Sequence, residues 1–151
     1  MPDQLDKKIL AELQQNARLP HRELSERVGL TPTPCTRRIR NLEKQGIITG
    51  YSAIIDETSV GFGFSVFVSV QLDRQVDDRL MHFEREINLM PEVVDCWLMT
   101  GNRDYLLRVA TQDIHEFERF LTGQLTKVEG VASIESSISI RRAKQQMARL
   151  S

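Results

Sequence analysis

The stretch HRELSERVG, residues 21–29, runs into LTPTPCTRRIRNLEKQ, residues 30–45, and decides how the N-terminal third of the chain folds. Leu24 and Val28 are spaced as the apolar pair of a short helix over residues 21–28. Gly29 is its natural stop, because glycine ends a helix in the left-handed conformation without steric cost. Thr31 is placed to cap the next helix, and Pro32 suits its first turn, where a missing N–H leaves no bond unmade. That helix runs to about Gln45 and stops at Gly46. A short helix, a tight turn and a longer helix make a helix-turn-helix pattern. At 100° per residue, Cys35, Ile39 and Leu42 fall within about 60° of one another and face the core. Thr33, Arg37, Arg40 and Lys44 then project from the opposite side, with Thr36 on its shoulder.

That outer stripe carries the chemistry of major-groove reading. Arginine can fork onto the O6 and N7 of guanine, and threonine can meet a thymine methyl or a base-edge donor. Arg38 lies near the core arc and is assigned to an ion pair or a phosphate. A run of charge is also the ordinary composition of a solvated helix face. Here the turn, the hydroxyl-rich N-terminal end and the basic stripe coincide, which favours DNA. Cys35, at helical spacing, reads as a core residue rather than a reactive thiol.

Upstream, Leu5, Ile9 and Leu13 recur every fourth residue and predict an amphipathic helix over residues 4–16. Charge follows the same division. The net charge of −1 hides a head of +3 over residues 1–50, a body of −8 over residues 51–140 and a tail of +4 over residues 141–151. Such asymmetry signals a partner for the basic ends. With 151 residues, 40% of them hydrophobic, the chain has the composition of one ordinary globular domain or two small ones. No run approaches the roughly 18 apolar residues of a membrane-spanning helix. No secretory signal is visible, and two cysteines cannot make a disulfide framework, so a cytoplasmic protein is expected.

Downstream, residues 64–72 alternate apolar and polar side chains, a strand by period. A helix follows with Asp77 and Asp78 in its first turn and Leu80, Phe83 and Ile87 as its stripe, ended by Pro91. Residues 93–100 form a second strand, apolar on both faces: Val93, Trp97 and Met99 on one side, Val94, Cys96 and Leu98 on the other. The order then repeats. Residues 105–111 read as a strand, Asp113 caps a helix bearing Ile114, Phe117, Leu121 and Leu125, and residues 131–140 are the last strand. Two tandem strand–helix–strand units of this length build a β-α-β-β-α-β, ferredoxin-like domain. The chain is therefore read as α+β: a helix-turn-helix domain over residues 1–50, a strand-like linker over 51–63, the ferredoxin-like domain over 64–142 and a basic tail over 143–151. The strand-like character runs over residues 47–56, which suits a swapped or paired strand rather than a loose linker, and residues 59–63 are the more flexible joint. The tail has Ala143, Met147 and Leu150 at the spacing of a short helix. A ferredoxin-like sheet has one face free of helices, and the apolar second strand and Phe67 imply that a second subunit covers it.

These segments together resemble the Lrp/AsnC family, the feast/famine transcription regulators of bacteria and archaea. The residues that carry the likeness are Asp3-x-Leu5-Asp6-x-x-Ile9-Leu10, Glu23-Leu24-Ser25-x-x-Val28-Gly29-Leu30 and Thr31-Pro32-Thr33-Pro34-Cys35. They continue through Arg38-Ile39-x-x-Leu42-Glu43-x-x-Gly46-Ile47-Ile48, Gly50-Tyr51-x-Ala53 and Thr100-Gly101-x-x-Asp104-Tyr105-Leu106-Leu107. The Thr-Pro-Thr-Pro-Cys run is most similar to the leucine-responsive branch. The resemblance implies a DNA-binding regulator with a winged-helix-like N-terminal domain, and the residues assigned above to that face, together with the helix ends, make Thr31, Thr33, Thr36, Arg37, Arg38, Arg40 and Lys44 the expected contacts with double-stranded DNA. It implies dimers that assemble into octamers or similar discs, associated with the nucleoid. It also implies an amino-acid effector, bound where dimers meet by Thr100, Gly101, Asn102, Asp104 and Tyr105, with Ser133, Glu135 and Ser136 from the neighbouring subunit. In that pocket Asp104 would accept the ammonium, and backbone N–H groups near Gly101 would meet the carboxylate. The same Gly-Asn-Arg-Asp run is also common hairpin composition. Family members usually carry Ser or Thr at the position of Pro20. Either that cap is lost, at about 1 kcal/mol, or Pro20 enters the first turn and the helix starts one residue earlier.

Two other functions compete. Ferredoxin-like domains host enzymes, but His21, His82 and His115 have no metal-ligand spacing, and neither a phosphate loop nor a nucleophile elbow is present. No catalytic residue, metal or cofactor is expected. The other competitor is a metabolite-sensing assembly protein without DNA binding, which the basic stripe of the third helix argues against.

Overall fold

The computed structural model describes residues 1–151 as two compact units, Met1–Ile54 together with Lys144–Ser151, and Ile55–Ala143. The first is built from α1 (Gln4–Gln15), α2 (His21–Val28) and α3 (Pro32–Lys44). Ile9, Leu13, Leu19, Leu24, Val28, Cys35, Ile39 and Leu42 are buried together at their meeting point. Each large aliphatic side chain withdrawn in this way contributes about 1.5–3 kcal/mol. Asp3 starts α1 with a capping box: its carboxylate accepts from the Asp6 N–H at 2.8 Å, and the Asp6 side chain accepts from the Asp3 N–H. Gly29 ends α2 at φ +78°, a conformation that side chains bearing a Cβ rarely adopt.

The helix starts and the tail settle what the sequence left open and change part of what it led one to expect. Pro20 occupies the N-cap position of α2 with no side-chain bond, and the helix starts at His21 rather than one residue earlier. Thr31 sits at the N-cap of α3, yet its hydroxyl makes no capping bond. The tail is not helical either. A helix that short is marginal unless packing holds it. The tail is held as irregular backbone instead: Gln14 of α1 donates to the Ala148 carbonyl at 3.3 Å and accepts from its N–H at 2.7 Å.

The second unit comprises β1 (Phe64–Leu72), α4 (Asp77–Asn88), β2 (Val93–Leu98), β3 (Tyr105–Thr111), α5 (Ile114–Gly123) and β4 (Val131–Ile138). The sheet is antiparallel throughout, in the order β2-β3-β1-β4, which is the ferredoxin-like arrangement. Val66, Val68, Val70 and Leu72 face Leu107, Val109, Phe83, Ile87, Phe117 and Phe120 in one core. The other sheet face carries no helix.

The ends of the second and last strands and the facing of β2 need correcting. The second strand stops at Leu98 and the last at Ile138, although one more bond follows each: Met99 N–H donates to the Asp104 carbonyl at 2.7 Å and Ser139 N–H to the Ser65 carbonyl at 3.0 Å. Within β2 the register slips between Val93 and Asp95, so Val93 opposes Val109 and Cys96 opposes Leu107. Both therefore face the core, and Val93 does not share a side with Trp97. A bulge of this kind inverts the alternation that periodicity assumes. Residues 47–56 pair with no strand of their own chain. Residues 59–63 are no loose joint. Asp56 accepts from the Thr58 N–H at 3.2 Å, Phe62 N–H reaches the Glu57 carbonyl at 2.8 Å, and a Cβ on Gly63 would collide with Thr58.

Candidate DNA-binding surface and effector site

On α3, Thr33, Arg37, Arg40, Asn41 and Pro32 line one open surface, with Thr36 half-buried at its edge. Thr31 and Lys44 are exposed at the two ends of the helix. Arg37, Arg40 and Lys44 enter no ion pair within the chain. Their charges are therefore free for an external anion. Arg38 is different. Its guanidinium donates to Asp3 at 2.8 Å and Asp6 at 3.0 Å, tying α3 to the start of α1. The Asp6 backbone N–H and Arg38 hold the Asp3 carboxyl below its ordinary range, and Asp3 and Asp6 raise the Arg38 guanidinium in turn. Of the two roles foreseen for Arg38, the structure shows the ion pair.

His21 was not foreseen. Its Nδ1 lies 3.0 Å from the Thr36 hydroxyl, joining the first residue of α2 to the outer face of α3. Nothing in the sequence signalled this, since it depends on how two helices cross.

In the second unit the loop between β2 and β3 holds Thr100, Gly101 and Asn102 exposed to solvent. Gly101, at φ +100°, makes the tight turn possible. Asp104 is 3% exposed. Its carboxylate accepts from the Leu72 N–H at 2.6 Å and from the Gln75 side-chain amide. Its own N–H donates to the Val70 carbonyl at 2.9 Å. Both carboxylate oxygens are thus occupied within the chain, and the expectation that Asp104 receives a ligand's ammonium gives way. It anchors the loop instead.

Tyr105 also turns inward. Its ring stacks on Phe83 at 4.5 Å between centroids, and its hydroxyl donates to Glu84 at 2.6 Å. Burial and that carboxylate push its pKa well up. The nearby Cys96 thiol is raised to about 11, chiefly by burial, so it is a poor nucleophile near neutrality.

The charged group the sequence reading passed over is Arg103, inside the quoted loop. It donates to the Ser133 hydroxyl at 2.6 Å and pairs with Glu135 at 3.1 Å, and Ser133 donates to Gln71 at 3.1 Å. These residues lie on the helix-free face, where Ser133 opposes Gln71 and Glu135 opposes Ser69. Ser136 opposes the core residue Val68, so it looks to the other face and stays apart. Ser133 and Glu135, expected from a neighbouring subunit, thus meet the loop within a single chain. The same face carries Phe67, Leu106 and Trp97, with Arg108 held between Glu57 at 2.9 Å and Asp95 at 3.3 Å.

The profile of the Lrp/AsnC ligand binding domain matches residues 65–149, and that of a winged helix-turn-helix DNA-binding domain matches residues 2–49. The chain belongs to the Lrp/AsnC family. It is 44% identical over 139 residues to the Bkd operon transcriptional regulator of Pseudomonas aeruginosa, covering 92% of this chain and 91% of that protein. It is 36% identical over 143 residues to the leucine-responsive regulatory protein of Escherichia coli, covering 95% and 87%. A transcriptional regulator from Neisseria meningitidis, solved as its L-Met complex, superposes with a TM-score of 0.91 at 38% identity, covering 97% of this chain and 94% of that one. Like these Lrp/AsnC relatives, the chain is a transcription regulator with a helix-turn-helix DNA-binding domain and a ligand-binding domain, and it is not an enzyme. No helix is long and apolar enough to cross a membrane.

Proposed function

We propose that this Lrp/AsnC regulator reads duplex DNA with Thr33, Thr36, Arg37 and Arg40 and changes its binding or assembly when an amino acid occupies the loop beside Arg103. The observation that carries the first half is the pair of exposed, unpaired arginines beside two threonines on one face of α3. Thr31 and Lys44, at the helix ends, suit phosphate contact, and Arg38 holds the helix in place. For the second half, Arg103 and Glu135 are the two halves of a zwitterion's complement. The guanidinium forks onto a carboxylate, Glu135 accepts an ammonium, and Thr100, Gly101 and Asn102 close over the ligand. An amino acid would replace the Arg103–Glu135 pair with two pairs of its own. The L-Met complex of the Neisseria meningitidis relative supports this ligand class. The setting is the cytoplasm, at the nucleoid, where the DNA is.

A panel of the twenty amino acids tests the ligand reading by thermal shift, followed by DNA affinity with each stabilising ligand. At a hundredfold excess over Kd a ligand stabilises by about 2.7 kcal/mol. At least one amino acid should raise the melting temperature and alter DNA affinity. Twenty flat melting curves would remove the proposal.

The helix-free sheet face supplies the assembly. Trp97 is 61% exposed and Phe67 40% exposed, and they lie with Leu106 on the side without helices. Paired copies bury that face as dimers, which assemble further into an octamer or similar disc. Two helix-turn-helix units per dimer then read two half-sites. Trp97→Asp should weaken dimerisation at least 30-fold, the loss typical of a central aromatic anchor. Sedimentation that shows the variant assembling as the parent does would disprove this interface.

A further inference from the structure

We infer that His21 sets the hydrogen-bonding polarity of Thr36 and so tunes which base edge that threonine reads. The inference rests on the proposal that α3 is the reading helix. The hydroxyl of Thr36 has one hydrogen and two lone pairs. One of its hydrogen-bonding positions is taken up by His21 Nδ1 at 3.0 Å. What remains for DNA depends on which partner donates. A protonated His21 carries hydrogen on both ring nitrogens and can only donate. Thr36 then accepts from it and turns its own hydrogen outward, toward acceptors such as guanine O6 and N7 or thymine O4. A neutral His21 with its hydrogen on Nε2 accepts from Thr36 instead. The threonine then turns lone pairs outward, toward the amino groups of adenine or cytosine.

His21 makes no ion pair, and neither do Arg22 beside it nor Arg37 and Arg40 across on α3. Glu23 of α2 and Glu12 of α1 are both held by Arg27, at 3.2 and 3.3 Å. His21 is the one histidine of the N-terminal unit, the other two being His82 and His115. Imidazole is the side chain whose ordinary titration falls between pH 5 and 8. His21 does not itself touch a base in this scheme and is a positioning residue.

The test selects bound sequences from a randomised duplex library with the full chain at pH 6 and pH 8. The parent should show a base preference at one position of each half-site that moves from acceptor-rich edges at pH 6 to donor-rich edges at pH 8. The expected change is about threefold to tenfold, the scale of one neutral hydrogen bond. His21→Asn cannot titrate and should give one preference at both values. Thr36→Val keeps the side-chain shape, lacks the hydroxyl, and should lose the preference at that position alone. A preference in the parent that is the same at both pH values overturns the inference and leaves the reading helix standing. So does a pH-dependent preference that survives in His21→Asn or Thr36→Val. A parent that enriches no sequence at either pH overturns both the inference and the reading helix.

Discussion

Arg37→Ala and Arg40→Ala should each weaken operator binding by about 1–3 kcal/mol, roughly fivefold to more than a hundredfold in Kd. Both side chains are exposed and enter no ion pair within the chain. Substitution at such sites usually changes stability by less than about 0.5 kcal/mol, so the melting temperature should hold. The two variants also separate kinds of contact. An arginine forked onto guanine loses discrimination at one base pair. An arginine on a phosphate weakens binding to all sequences alike and lowers the salt slope by about one. Fluorescence anisotropy against salt, on specific and scrambled duplexes, reads both quantities. Arg38→Ala should behave differently, because it breaks the tie to Asp3 and Asp6 and disturbs the seating of α3 rather than a direct contact. Operator affinity unchanged in both the Arg37 and Arg40 variants would mean that α3 is not the reading helix.

The second large effect belongs to Asp104. Asp104→Ala should destabilise the C-terminal unit by about 2–3 kcal/mol, since it strands the buried Leu72 N–H and the Gln75 amide. Once that anchor is gone, the loop over residues 100–103 loses its shape, and the amino-acid response should go with it. Arg103→Ala provides the contrast. Its partners Ser133 and Glu135 lie at the surface, so the fold should persist while ligand affinity falls at least tenfold. A charge-assisted bond to a carboxylate is worth that much. Denaturant unfolding and ligand titration on the two variants separate anchor from ligand contact. If Asp104→Ala unfolds and responds as the parent does, the loop is not held as described. If Arg103→Ala keeps full ligand affinity, the carboxylate is bound elsewhere.

The two readings of Asp104 show where sequence reasoning reaches its limit. Its residue type and its place beside Gly101 suited a zwitterion equally well whether it contacted the ligand or the backbone. Only the register of β1 against β3, which brings Leu72 and Gln75 over the loop, decides between them. Arg103 was overlooked for the same reason. A basic residue in a four-residue turn has no distinguishing pattern until β4 arrives beside β1 and presents Ser133 and Glu135.

Local chemistry carried the rest. The spacing of Cys35, Ile39 and Leu42 alone settles which side of α3 is buried and leaves Arg37 and Arg40 outside, because helical geometry has a fixed angle per residue. The alternation in residues 64–72 and the repeat of strand, helix and strand determine the sheet, because a strand's period is two. What tertiary structure alone decided are the places where distant segments meet or a period slips. The bulge that turns Val93 inward is one, and the His21 contact with Thr36 is another. The tail held by Gln14 belongs with them. Each depends on a partner many residues away, and no pattern within a window records who that partner will be.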